Sequence, residues 1–155
     1  MKRMLKLTFV ALMLQLAYSQ SAMKDELASF ENSLREDAIS SIVVLRMPDD
    51  VTTRIDVTPQ VLRKGLSSTR KYKIEMNQVR SKLLIRWIQQ TTFTRTKRSP
   101  DLRWGLLFVD HNGKEIASIF SDRFGQVGNV DGHNIEFSNT HLIDTIHELV
   151  GSQVH

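Results

Sequence analysis

The spacing of apolar residues predicts amphipathic helices at three places along the chain. Leu27, Phe30 and Leu34 recur at helical intervals. A second helix is expected after Asn77, whose side chain suits the N-cap position. A third apolar stripe runs through residues 142–150. The apolar side of the second helix is expected to comprise Val79, Leu83, Leu84, Trp87 and Ile88.

A shorter helix of two turns is predicted between Thr58 and Gly65. Thr58 is a favourable N-cap residue, and Pro59 then takes the first helical position. A backbone N–H at that position makes no hydrogen bond within the helix, so proline is tolerated there. Glycine commonly follows the last helical residue, so Gly65 is expected to end this helix.

Strands are predicted where short apolar runs lie between turn residues. Residues 40–47 are rich in β-branched side chains and end at a proline, and residues 52–57 form a second short run. Residues 71–76 alternate strictly between apolar and charged side chains, which indicates a strand with one solvated face. The polar residues 91–101 are expected to form a loop.

The clearest hairpin signal is Asn112-Gly113, the preferred dipeptide of a two-residue type I′ turn, which joins two apolar runs. Such a turn fixes the register, so Gly105 is expected to face Phe120, whose ring would cover the bare glycine backbone. Both faces of residues 104–109 are expected to be buried. Asp131-Gly132 predicts a second hairpin. The other expected pairs of the first hairpin are Arg103 with Asp122, Leu106 with Ile119 and Val109 with Ile116.

These elements predict an α+β fold with a mainly antiparallel sheet on which amphipathic helices pack. Strands cluster late in the chain, helices lie early and at the end, and no repeat of 20 to 50 residues is present. The length of 155 residues is that of one domain.

The first 19 residues have the pattern of a secretory signal peptide. Three basic residues precede the apolar run 7–16, and Ala17-Tyr18-Ser19 provides small residues at both recognition positions of a signal peptidase. A membrane anchor is the alternative, but the run is well short of the roughly 20 residues that span a bilayer. We therefore expect cleavage near Gln20, a single domain over 20–155 without a transmembrane segment, and a periplasmic or secreted location.

The chain contains no cysteine. This excludes disulfides, thiolate metal sites and a cysteine nucleophile. Small extracellular domains of eukaryotes usually depend on disulfides, whereas about 135 residues can be stabilised by packing alone. A bacterial exported protein therefore fits the composition best.

Charge is segregated along the chain. Residues 63–103 hold 12 Lys and Arg against two acidic residues, whereas residues 20–62 and 104–155 have net charges of −4 and −5. One interpretation is that the basic segment folds against its acidic flanks. The other is an exposed basic patch that binds an acidic protein or an anionic envelope component. The candidate patch residues are Lys82, Arg86, Arg95, Lys97 and Arg98.

The stretch 140–150, THLIDTIHELV, raises the question of a metal or acid–base site. His147-Glu148 does not continue into the HExxH motif of zinc proteases, because Gly151 stands where the second histidine is required. On a helix, its polar residues lie opposite the apolar stripe, so they are expected to face solvent. These polar residues are His141, Asp144, Thr145, His147 and Glu148. A weak metal site on the shared face of His141, Asp144 and Glu148 is the alternative.

No nucleotide-binding, nucleophile-elbow or other cofactor motif is present, so no catalytic residue, metal or cofactor is assigned. Nucleic acid is not expected as a partner, because the chain is predicted to be exported and its basic residues have no cluster of stacking aromatics among them. Two hypotheses follow. The first is an exported non-catalytic binding or accessory protein, with an inhibitor or immunity-like role as one form. The second is a small exported hydrolase that uses His and Asp.

Overall fold

The computed structural model describes residues 27–53 and 56–151, and it confirms the predicted α+β class. Within these residues four helices pack on a seven-stranded antiparallel sheet of order β2-β1-β4-β5-β6-β7-β3. The predicted signal peptide lies outside the described residues. The elements are α1 (residues 27–35), β1 (Ile39–Arg46), α2 (Pro59–Lys64), β2 (Arg70–Glu75), α3 (Gln78–Gln90), β3 (Thr92–Arg95), β4 (Trp104–Asp110), β5 (Glu115–Ser121), β6 (Val127–Val130), β7 (His133–Ser138) and α4 (Leu142–Val150).

The sheet has a hydrophobic core on each face. The larger core lies under α1, α3 and α4, where the Phe30 ring of α1 meets that of Phe108 at 4.5 Å between centroids. The smaller core lies under α2, where Leu62 packs with Phe120 and Leu45. The central strands β1, β4 and β5 therefore contribute side chains to both cores. Among residues 27–53 and 56–151, no helix has the length and apolar character needed to cross a membrane.

The predicted helix caps are confirmed. The Thr58 hydroxyl accepts a hydrogen bond from the Val61 N–H, and Gly65 ends α2 with a φ of 74°. The Asn77 side chain accepts the Arg80 N–H at 2.9 Å at the start of α3. The expected burial of Val79 is wrong, because its side chain is 75% exposed.

The position of Val79 around the α3 axis explains its exposure. The side of α3 that faces the sheet carries Leu84, Trp87 and Ile88. At about 100° per residue, Val79 lies about 140° from Leu84, away from that side. Its angle around the helix therefore excludes Val79 from the apolar stripe.

The first hairpin has the predicted register over most of its length, but not the predicted turn. Gly105 faces Phe120 and Leu106 faces Ile119, whereas Val109 pairs with Glu115 across a bulge. The bulge leaves Ile116, the expected partner of Val109, without one, and its side chain is 38% exposed. Arg103 and Asp122 lie beyond the last pair of the ladder, which is Trp104 with Ser121.

The turn differs because the Asp110 carboxylate organises it. Asp110 and Lys114 close a three-residue loop by the Asp110 N–H bond to the Lys114 carbonyl at 2.9 Å. The Asp110 carboxylate accepts the N–H groups of Lys114 and Asn112, each at 2.8 Å, and these bonds hold the pKa of Asp110 below its ordinary value. Gly113 takes the left-handed conformation that such a loop requires, with φ at 80°.

The second predicted hairpin is confirmed with its two-residue turn. Val130 pairs with His133, and Asp131 and Gly132 between them both have positive φ, as a type I′ turn requires. Their strands β6 and β7 continue the sheet towards the β3 edge.

Two expectations about local structure are wrong. Residues 52–53 and 56–57, the described part of the predicted strand 52–57, are not a strand, because Val57 bonds instead to the loop before β4, through the Leu102 N–H and the Asp101 carboxylate. Residues 54–55 lie outside the described part of the chain. The expected loop 91–101 contains β3, which pairs with β7 and packs Phe93 against Phe137 at 5.8 Å.

The approach of Phe120 to Gly105 gives a stability test. A Cβ at Gly105 would lie 2.9 Å from two Phe120 ring atoms, and that ring is fully buried, so Gly105→Ala is expected to destabilise the fold by about 1–3 kcal/mol. Urea denaturation followed by circular dichroism would measure this loss. The double variant Gly105→Ala/Phe120→Leu should recover part of it. An unchanged midpoint in the single variant would contradict the packing argument.

Candidate functional site

The outward side of α3 carries the first two residues of the predicted patch. Lys82 and Arg86 are exposed and lie one helical turn apart, roughly opposite the side that packs on the sheet. Like charges at this spacing repel by a few tenths of a kcal/mol. We call Lys82 and Arg86 the α3 ridge.

Neither residue of the ridge has an ion pair with any of the described residues. Glu31 on the adjacent α1 binds Arg35 and accepts a hydrogen bond from Gln89 of α3 at 2.8 Å. The Arg35 hydrogen bond holds the pKa of Glu31 below its ordinary value, so this carboxylate is already engaged. The ridge therefore keeps its positive charge uncompensated at close range.

A groove lies on each side of the ridge. The groove towards α1 has a volume of about 440 Å³, and Lys82 lines it together with Leu34, Ile85 and the charged residues Arg35 and Asp37. The groove towards α4 is smaller, about 210 Å³, and Arg86 shares it with Asp144 and Glu148. These two carboxylates lie beyond 4.0 Å from the Arg86 guanidinium, so they moderate its charge without forming an ion pair.

The other three patch residues lie on different elements. Arg95 is on β3 and is half-buried, and its buried Nε has no hydrogen-bond partner among the described residues. Side chains alternate along β3, so Arg95 points to the same face of the sheet as Phe93, the face that carries α3. Lys97 and Arg98 are exposed on the loop after β3. The structure thus joins Lys82 and Arg86 as a pair and places Lys97 and Arg98 on a separate element.

The loop that carries Lys97 and Arg98 leads into a cleft on the opposite, α2 side of the sheet. The cleft has a volume of about 490 Å³, and four segments of the chain form it. It was not predicted, since the sequence patterns that contain its residues, Thr58-Pro59 and Asp131-Gly132, indicate a helix start and a turn rather than a binding site. The sequence signal for it is weak, and consists of polar residues at inward strand positions, such as Asn129. The lining residues are Thr58, Pro59, Gln60, Arg63, Ser99, Pro100, Leu102, Glu115, Ser118, Asn129, Asp131, Gly132 and Asn134.

The polar residues of α4 lie as predicted, with one exception. His141, Asp144, His147 and Glu148 are all exposed, and His141 approaches Asp144 at 3.4 Å with both side chains 80% exposed. Thr145 is buried, contrary to expectation, because it faces the groove that α4 forms with α3.

His147 makes a contact that the sequence did not indicate. Its ring lies 5.5 Å from the buried Trp104 ring, over which the Arg46 guanidinium also lies, at 4.9 Å. His147 therefore packs partly against the end of the sheet. Within residues 27–53 and 56–151, no three His, Asp or Glu residues are grouped closely enough to hold a metal ion.

The chain matches no protein-family model, no curated protein and no solved structure. Its function is therefore argued from its own residues. The cleft is the largest concave site described above, and its lining includes no histidine. Both carboxylates of the cleft are bound, Glu115 to Arg63 and Asp131 to the Ser118 N–H and hydroxyl.

The exposure of the α4 histidines predicts that they can be replaced without loss of metal or fold. The double variant His141→Ala/His147→Ala is expected to have the metal content of the wild-type protein, measured by inductively coupled plasma mass spectrometry after purification without chelators. The His141→Ala single variant is the control, since it leaves the His147 contact with Trp104 intact. Stoichiometric zinc in the wild type that is lost in the double variant would contradict this reading.

Proposed function

We propose that the chain is an exported, non-catalytic binding or accessory protein that receives an acidic protein on the α3 ridge. The observation that carries the proposal is the exposed, repulsive pair Lys82 and Arg86, which has no ion pair within the described residues. An acidic partner would relieve this repulsion on binding. An inhibitor or immunity-like role is one form of such a function.

The grooves beside the ridge support a protein as the partner. The groove towards α1 exposes part of Ile85 beside Lys82, with the buried Leu34 behind it. A protein surface can place an apolar side chain in such a groove and a carboxylate on the adjacent cation. A simple anion would use only the charge.

The hydrolase hypothesis receives no comparable support. A general base must lie within hydrogen-bond reach of the group that it activates. In the cleft, the Glu115 carboxylate is paired with Arg63, and the hydroxyl within reach of the Asp131 carboxylate is that of Ser118, a residue only 4% exposed.

Export is tested at the N-terminus of the native protein. If the first 19 residues are a signal peptide, mass spectrometry of the protein from its native host is expected to find a new N-terminus near Gln20, in the exported fraction. The intact chain made by cell-free translation without membranes is the control. Recovery of the Met1 form from the cytosol of the native host would contradict export.

The ridge is tested by charge reversal. The variant Lys82→Glu/Arg86→Glu is expected to associate with its partner about tenfold more slowly, because electrostatic steering raises association rates. The partner is first captured from the exported fraction with the wild-type chain, and association is then measured by surface plasmon resonance. Wild-type binding should weaken as salt rises, because the Debye length is already about 8 Å at 0.15 M.

The matched control is Arg70→Glu/Lys71→Glu, which has the same net charge but changes two exposed residues of β2. This control should associate at nearly the wild-type rate. Equal slowing in both double variants, or no slowing in the ridge variant, would contradict the proposal. Binding of the wild type to phosphatidylglycerol vesicles without capture of any protein would instead identify an anionic envelope component as the partner.

A further inference from the structure

We infer that the cleft on the α2 side of the sheet is a second binding site, for a neutral polyhydroxylated ligand of the size of one or two sugar rings. Its volume of about 490 Å³ falls within the range of about 300–1,000 Å³ that small-molecule sites occupy. The cleft lies across the sheet from the α3 ridge, so this inference does not depend on the proposed function.

The floor of the cleft presents hydrogen-bond donors in fixed positions. Asn129 is 7% exposed, and its side-chain oxygen accepts the Gly132 N–H at 2.9 Å. Since a backbone N–H can only donate, this bond fixes which atom of the Asn129 amide is the oxygen. The Asn129 nitrogen then donates to the side-chain oxygen of Asn134 at 3.0 Å.

This arrangement leaves donors free for a ligand. The Asn134 amide nitrogen carries two N–H groups and the Asn129 nitrogen retains one, and none of these donates to another described residue. The two side chains lie side by side, because Asn129 of β6 is paired with Asn134 of β7 in the antiparallel hairpin. The amides are therefore preorganised, which lowers the entropic cost of binding.

The walls of the cleft argue against a charged ligand. Arg63 forms an ion pair with Glu115, and its guanidinium also lies 4.9 Å above the Phe120 ring. Asp131 adds a second carboxylate to the lining. One of its oxygens accepts from Ser118, so the other oxygen can accept a hydrogen bond from a ligand. The lining itself thus has one cation against two anions, so it offers an anionic ligand no net attraction.

A neutral polyol matches this combination of groups. A hydroxyl group can accept from an amide N–H and donate to a carboxylate at the same time. Adjacent hydroxyls on a sugar ring therefore suit a floor of amides beside the free Asp131 oxygen. The C–H face of the ring can contact the partly exposed Pro59, behind which Pro100 and Leu102 lie buried.

The test is a titration followed by ¹⁵N-correlated nuclear magnetic resonance. The probes are methyl glucoside, methyl galactoside, methyl mannoside and N-acetylglucosamine, with glucuronic acid as the anionic comparison. At least one neutral probe is expected to give saturable shifts at the amides of Ser118, Asn129 and Asn134. The residues of the α3 ridge should not shift.

Two variants separate binding from folding. Asn134→Asp keeps an oxygen for the Asn129 bond but removes the free donors and adds a negative charge, so it should weaken binding at least about tenfold. Ser99→Trp places a large side chain from an exposed lining position without changing the floor, and should also block binding. Gln90→Ala on α3 is the control, since it removes an exposed amide on the other face of the sheet.

Three results would overturn the inference. They are the absence of saturable shifts for every neutral probe, shifts that map outside the cleft, and tighter binding of glucuronic acid than of any neutral probe. Unchanged affinity in Asn134→Asp would equally reject the amide floor as the recognition element. None of these results bears on the ridge, whose partner is measured separately.

Discussion

The buried guanidinium of Arg103 holds together the part of the molecule that covers the second face of the sheet. Arg103 is 5% exposed, donates to the Asp101 carboxylate and reaches the Val51 carbonyl at 2.8 Å. Asp101 in turn accepts the Val57 N–H at 3.1 Å. Removing Asp101 would leave the buried guanidinium without its carboxylate partner, at a cost reduced by the 41% exposure of the Asp101 side chain, so the segment before α2 depends on this network. The position of α2, and with it one wall of the cleft, follows from the same contacts.

The elements that the sequence predicts correctly are those whose cause is local. Thr58, Gly65 and Asn77 act on backbone groups within a few residues, so α2 and the start of α3 were predictable. The strand β3 was missed because its stability comes from pairing with β7 and from Phe93, which packs on Trp87 at 5.6 Å. Within residues 91–101 the local signal for that strand is short, the β-branched and aromatic residues Thr92, Phe93 and Thr94.

The first hairpin shows how one side chain changes a local prediction. Asn112-Gly113 favours a two-residue turn, but the Asp110 carboxylate binds two N–H groups of a three-residue loop. The extra loop residue would shift the register by one and would turn the buried side chains of β4 and β5 outward. The bulge opposite Val109 absorbs that shift, so Gly105 still meets Phe120. Burial of both strands therefore determines the register, and the turn adapts to it.

The two candidate sites also differ in how far local sequence could predict them. Helical periodicity was enough to place Lys82 and Arg86 on an outward face, whereas the cleft arises from four segments that only the fold brings together.

If the basic segment 63–103 simply folded against its acidic flanks, several ion pairs should join them. Among the described residues a single pair does so, Arg63 with Glu115. Two others lie within the segment, Lys73 with Glu75 and Arg103 with Asp101. Most of its Lys and Arg side chains therefore have no ion pair with a described residue, which leaves them available to an acidic partner.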